Sequence, residues 1–182
     1  MSTTLVRATI EDLYKEEGKA EIVNGEIARF MATGRRPSRA AGQIYRRLLD
    51  YEDESREGYA YSDNTGFHVY LPNRDSFSPD AAWHIGEDTG MKFLEGAPVF
   101  AVEVRSENDY GKAAEREMAE KRRDYFDAGT LVVWDVDLLS DDVVKVYRSS
   151  DPENPTIYKR DEIAEAEPAV PNWRMPVNEL FR

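Results

Sequence analysis

Two nearly continuous apolar runs, residues 98–104 and 131–136, stand on either side of one long helical pattern at residues 111–128, and this arrangement limits the fold more than any other feature. An apolar run without alternation is what a strand buried on both faces needs. When a helix joins two such strands, it serves as the crossover that a parallel pair requires. Gly129 supplies the helix end, as a residue that tolerates the left-handed C-cap conformation. The economical architecture is a mixed central β-sheet flanked by helices, an α/β (α+β) fold. The 182 residues make a single domain, 1–182, because they suffice for one core and fall short of two ordinary ones.

The other elements read around that unit. Thr9, with Glu11 and Asp12 behind it, is an N-cap for a short helix to about Glu16. Asn24-Gly25 between residues 20–23 and 26–31 is the strongest short signal for a two-residue type I′ hairpin. Ser38 caps a helix to about Tyr51, with Ile44, Leu48 and Tyr51 on one face, and residues 52–58 read as an acidic loop. Phe67, Val69 and Leu71 alternate with His68 and Tyr70 in a half-buried strand, and Pro72-Asn73 turns the chain out of it. Further strands are expected at residues 80–85 and 143–148, the latter paired with 156–159.

Composition removes several chemistries. Without cysteine there is no disulfide scaffold, thiol nucleophile or cysteine zinc site, and two histidines, His68 and His84, cannot build a multi-histidine centre. Residues 1–10 lack an apolar core of signal-peptide length, and no run approaches the ~20 apolar residues of a membrane span, so a cytoplasmic protein without membrane contact is expected. The 36 acids against 24 bases give a net charge of −12, which excludes a uniformly basic nucleic-acid coat. The charge is uneven: residues 1–50 carry +2 and the remainder −14. Six arginines and no acid lie between Ile27 and Leu49, a strip that either pairs with the acidic surplus or contacts phosphate through Arg35, Arg36 and Arg39.

Four residues break their local pattern. Strand alternation puts Val99, Ala101, Glu103 and Arg105 on one face, so Glu103 is a carboxylate among apolar neighbours, where an unpaired charge is costly. In the long helix Ala114, Met118, Lys121 and Tyr125 fall within a stripe about 60° wide, which places a lysine in the apolar face. Lys121 either snorkels to the helix edge or points at an acid on the sheet beneath. Asp80, after Pro79, and Glu21, inside a β-like run, are the other acids so placed. Carboxylates gathered on one surface repel by about 4 kcal/mol per contacting pair, and a hard divalent cation such as Mg²⁺ or Mn²⁺ relieves that.

Pro79-Asp80, then Glu103-Val104-Arg105-Ser106, then Lys121 followed by Tyr125, Ala128-Gly129 and Trp134-Asp135-Val136-Asp137, resemble the Uma-two family of restriction endonucleases, within the PD-(D/E)XK nuclease superfamily. The segment Glu21-Ile22-Val23-Asn24-Gly25-Glu26 is similar to the family's N-terminal motif, and Pro171-Asn172-Trp173 with Val177 to Phe181 to its closing stretch. The resemblance covers nearly the whole chain. It implies a restriction-endonuclease-like fold, metal binding by Asp80 and Glu103 with Glu21 as an additional acid, and Lys121 as a catalytic lysine carried on the helix. The sequence departs from the family at two positions: Ala41 stands where many members have histidine, and Arg105 where the family is aliphatic and the superfamily has lysine. Arg105 either stands in for that lysine and touches phosphate, or pairs with Glu103 and takes the metal's place.

The leading expectation is a Mg²⁺- or Mn²⁺-dependent deoxyribonuclease with weak or local DNA contact, acting as a homodimer because double-strand cleavage needs two sites. The alternative is a nuclease-fold binding module with a disabled site. A carboxylate-pair glycosidase is a third reading, for which Trp83 and Tyr70 would be sugar platforms but read better as core.

Overall fold

The computed structural model describes residues 6–182, so the first five residues of the N-terminal stretch read above lie outside the described residues. In chain order the elements are α1 (Ile10–Leu13), β1 (Ala20–Val23), β2 (Glu26–Arg29), α2 (Arg35–Ser55), β3 (Tyr59–Ser62), β4 (Phe67–Leu71), β5 (Arg74–Phe77), β6 (Ala81–His84), β7 (Leu94–Glu95), β8 (Phe100–Val104), α3 (Lys112–Asp127), β9 (Val132–Val136), β10 (Val144–Arg148), β11 (Asp151–Tyr158), β12 (Ile163–Ala166), β13 (Val170–Pro176) and a closing 3₁₀ turn, Val177–Phe181. The mixed central sheet has six strands in the order β11-β10-β9-β8-β6-β3. Its β8–β9 pair is parallel, with Glu103 opposite Asp135, and α3 makes the crossover between them.

The two faces of this sheet bury different things. Phe100, Val102 and Val104 with Val132, Trp134 and Val136 face α2 and the C-terminal hairpin β12–β13, in a core that includes Ile44, Leu48, Trp83 and Trp173. Fully burying an apolar side chain of this size contributes roughly 1.5–3 kcal/mol, and this cluster holds most of the buried apolar side chains. Ala101 and Val133 face the other way and meet Phe67, Val69, Phe77, Leu94 and Tyr125. That second cluster lies under a five-stranded sheet, β2-β1-β5-β4-β7. Within β8 the expected alternation holds, with Glu103 on the side shared with α3 and the smaller sheet, whereas Val99, expected on that same face, packs against the first cluster.

Several expected boundaries move. The second helix starts at Arg35 with Gly34 as N-cap, not at Ser38. Pro37 is no obstacle, because it falls in the first turn, where backbone N–H groups have no intrahelical partner. The helix also runs through residues 52–55, expected as loop, and ends where Arg56 adopts φ 55°. Glu52 holds this end by accepting a hydrogen bond from the Ala60 N–H at 2.7 Å. Pro72-Asn73 ends β4 as expected, and does so as a two-residue hairpin loop that leads straight into β5, a strand the sequence did not announce, with Leu71 opposite Arg74. Trp83 is core at 1% exposure, whereas Tyr70, expected in the core, is 74% exposed.

Candidate active site

β1 brings the first acid in from the smaller sheet. Asn24 and Gly25 take φ 54° and 79°, the positive values that a type I′ turn needs. The turn sets the β1–β2 register with Glu21 opposite Ala28. Glu21 is 1% exposed. Its Oε1 accepts hydrogen bonds from the Ser78 N–H at 2.8 Å and Lys121 Nζ at 2.9 Å, and its Oε2 from Arg74 Nη1 at 2.7 Å. Burial opposes the charge, but Lys121 and Arg74 outweigh it and hold the Glu21 carboxyl below the usual range. Arg74 passes the chain of charge on, donating from Nε to Asp124 Oδ2 at 2.8 Å.

The central sheet and α3 supply the next pair. Lys121 Nζ lies 2.8 Å from Glu103 Oε1, and the Tyr125 hydroxyl donates to the same oxygen at 2.7 Å. One helical turn of α3 thus presents an ammonium and a phenol to one carboxylate, as the i, i+4 spacing allows. Tyr125 is fixed by stacking on Phe77, with ring centroids 3.9 Å apart. Burial pushes the Glu103 carboxyl up; Lys121 works against that shift and Asp80 adds to it. Burial also disfavours the Lys121 ammonium, yet Glu103 and Glu21 keep its pKa above the ordinary lysine value. The helical stripe thus turns Lys121 toward acids on two sheets, the second of the two expected placements.

Asp80 lies just before β6, on the same side. Its Oδ2 accepts a hydrogen bond at 2.7 Å from the N–H of Val104, the residue after Glu103, and its Oδ1 accepts one at 2.7 Å from Lys19. Lys19 Nζ also reaches Asp63 Oδ1 at 2.7 Å. Although burial opposes its charge, Asp80 and Glu103 raise the Lys19 pKa. A cavity of about 120 Å³ opens beside Asp80, with Asp63, Ser62, Thr33, Ser38 and Ala41 on its wall. Ala41 therefore faces the same space as Asp80.

Glu21, Glu103 and Lys121 are thus drawn into direct contact, and Asp80 reaches them through the Val104 backbone and Lys19. Among the described residues no three acidic or histidine side chains come together as a metal-holding group. Glu21, expected as an additional metal acid, already has three donors on its two oxygens. Arg105 departs from both of its expected parts. It is 6% exposed and its guanidinium binds Asp135 through two hydrogen bonds of 2.8 Å, while also reaching Glu115. It is neither paired with Glu103 nor open to phosphate, because Asp135 sits beside Glu103 in the β8–β9 register and takes the fork first.

The arginine strip is also partly spent. Arg29 pairs with Glu16, Arg47 with Glu179, Arg46 lies 3.9 Å from Glu179, and Arg39 donates to the Arg182 carbonyl at 3.2 Å. Arg35 and Arg36, in the exposed first turn of α2, form no ion pair among the described residues. The sequence reading missed Lys19, Arg74 and Asp124. Lys19 had a signal: it stands two residues before Glu21 and so shares its strand face. Arg74 had none, because β5 itself was hidden behind Pro72-Asn73.

The family Uma2, described as "Putative restriction endonuclease", matches residues 7–178. The chain belongs to the Uma2 family. No curated protein matches it. Among solved structures it resembles one described as a putative nuclease of DUF820 from Anabaena variabilis, at 17% identity and a TM-score of 0.72, over 96% of this chain and 97% of that one. The likeness extends through both ends of the fold, which is restriction-endonuclease-like. No helix of the described residues is long and apolar enough to cross a membrane.

Proposed function

We propose that this Uma2 chain hydrolyses phosphodiester bonds in DNA with the help of Mg²⁺ or Mn²⁺. The observation that carries the reading is Lys121 Nζ at 2.8 Å from Glu103, on a strand whose next N–H holds Asp80. Asp80 and Glu103 would hold the cation. Their donor set fits it: it is all oxygen, and Mg²⁺ commonly uses one or two carboxylates and keeps several waters. The surroundings fit as well. Five carboxylates, Glu21, Asp63, Asp80, Glu103 and Asp124, face three cations, Lys19, Arg74 and Lys121, leaving two negative charges if all are ionised. Both contacts to Glu103 fall on Oε1, while a quarter of the side chain stays open to solvent. The cation, when bound, supplies Lewis-acid activation of water and charge on the phosphate oxygens.

The remaining chemistry belongs to side chains. Lys121 orients the attacking water or stabilises charge building on the phosphoryl oxygens. Glu21 acts as a positioning residue in place of a ligand, holding the Lys121 ammonium between two sheets. Tyr125 fixes the Glu103 carboxylate. Arg35 and Arg36 offer phosphate contacts at the rim, and a homodimer would bring two such sites together.

Incubating plasmid and labelled oligonucleotides with the protein and Mn²⁺, beside Asp80→Asn, tests the reading. Cleavage by the parent protein that is lost in the variant supports it; equal cleavage by both sinks it. Thermal denaturation with millimolar Mg²⁺ or Mn²⁺ is the independent check, since binding to the native state alone raises stability by about 2.7 kcal/mol at 100 times the dissociation constant. Absence of any shift would favour the nonenzymatic binding module, and light scattering of the purified protein reads the dimer.

A further inference from the structure

Phe30 follows the last residue of β2, and its backbone N–H donates to the Lys19 carbonyl at 2.9 Å. Its ring centroid lies 5.7 Å from Lys121 Nζ and 6.0 Å from Lys19 Nζ, yet the residue is 44% exposed. An apolar ring of this size normally goes to the core, and an ammonium some 6 Å away is at the limit of attraction to an aromatic face. The two lysines thus account for little of the ring's position. What singles Phe30 out is where it is exposed: beside the two ammonium groups that bind Asp80, Glu103 and Glu21. Next along the chain come Met31, 83% exposed, and then Arg35 and Arg36, which have no carboxylate partner among the described residues.

We infer that Phe30 is a stacking platform for an unpaired nucleobase next to the scissile phosphate, and that the site prefers single-stranded DNA, or the single-stranded side of a junction, to continuous duplex. This inference rests on the nuclease reading above and narrows its substrate. A base lies one sugar away from its phosphate, so a phosphate drawn to Lys121 puts an adjacent base within reach of the ring. A base inside a duplex offers no free face, whereas an unpaired base stacks on an aromatic side chain whatever its identity. Arg35 and Arg36 complement the backbone on the same segment, the pairing of aromatic ring and cationic strip that single-strand sites use.

The test measures binding, not cleavage, on the full chain carrying Asp80→Asn. Fluorescence anisotropy with a labelled oligothymidine and with a labelled duplex of equal length gives the preference, and a 2-aminopurine oligonucleotide reports stacking directly. Phe30→Ala should weaken single-strand binding about tenfold while changing duplex binding by less than about twofold, and Phe30→Trp should restore it. Tyr70→Ala, an exposed aromatic on the outer face of the smaller sheet, should change neither. Equal losses on both DNA forms, no loss, no single-strand binding, or an unchanged 2-aminopurine signal would overturn the inference. Failure of the Mn²⁺ cleavage assay with the Phe30 effect intact would remove the nuclease reading and leave the platform, so the two are separable.

Discussion

Glu21 and Arg74 illustrate how a buried charge is held at single-residue scale. Each has two oppositely charged partners, Lys121 and Arg74 for the acid, Glu21 and Asp124 for the base, so neither loses water without compensation. Taking away one member of such a set leaves others buried and unpaired, which costs more than the pair contributes. Arg74→Met should therefore destabilise the fold by about 3–5 kcal/mol, read from urea unfolding midpoints. Lys121→Ala should slow Mn²⁺-dependent cleavage by about 10² to 10³, compared as single-turnover rates. The pH dependence has a defined sign. The folded Glu21 carboxyl lies below its unfolded value, so between the two the unfolded chain binds more protons. Its stabilisation is complete above the ordinary carboxylate value near 4.5 and is lost as pH falls through the depressed one. Glu21→Gln should flatten the acid limb of the stability curve, measured by denaturant unfolding at a series of pH values.

At the scale of elements, the turn between β1 and β2 governs where Lys19 and Glu21 point. Gly25 adopts φ 79°, and an added Cβ would meet the Arg7 side chain at 2.9 Å. The side chain is flexible, so backbone strain dominates, and Gly25→Ala should lower the unfolding free energy by about 1 kcal/mol in chemical denaturation. This hairpin was legible because two residues dictate it. The β8–α3–β9 crossover was legible for a different reason: apolar runs and helical spacing report burial whatever the neighbours are. β3, β5, β7, β12 and β13 were not. Arg74, Asp75 and Ser76 carry no apolar alternation, and β7 has only two residues. β3, β5 and β7 pair with strands of the two larger sheets, and β12 and β13 pair only with each other. The site divided along the same line: Glu103 and Lys121 stood out as pattern violations, while Arg105 misled because its partner, Asp135, lies on a strand thirty residues away in sequence.

Over the whole molecule, the charge of −12 bears on how the proposed nuclease would meet DNA. Most of the arginine strip is internally paired, and Arg35 and Arg36 remain for backbone contact. Releasing counterions from two phosphates gives a log–log salt slope of roughly −1.4 on single strands. Titrating oligonucleotide binding against salt should return a slope of that size, and replacing both arginines by alanine should bring it close to zero. A slope several times steeper would mean that other cations of the protein reach the backbone.

The ammonium of Lys121, on α3, meets the carboxylate of Glu21, on the smaller sheet, across a sequence separation of 100 residues. A chain emerging from the ribosome therefore has no such contact until its α3 has been made and both sheets have closed on each other. An incomplete or half-folded copy holds the separate pieces without the juxtaposition, so under the proposed nuclease function only the finished chain would cleave.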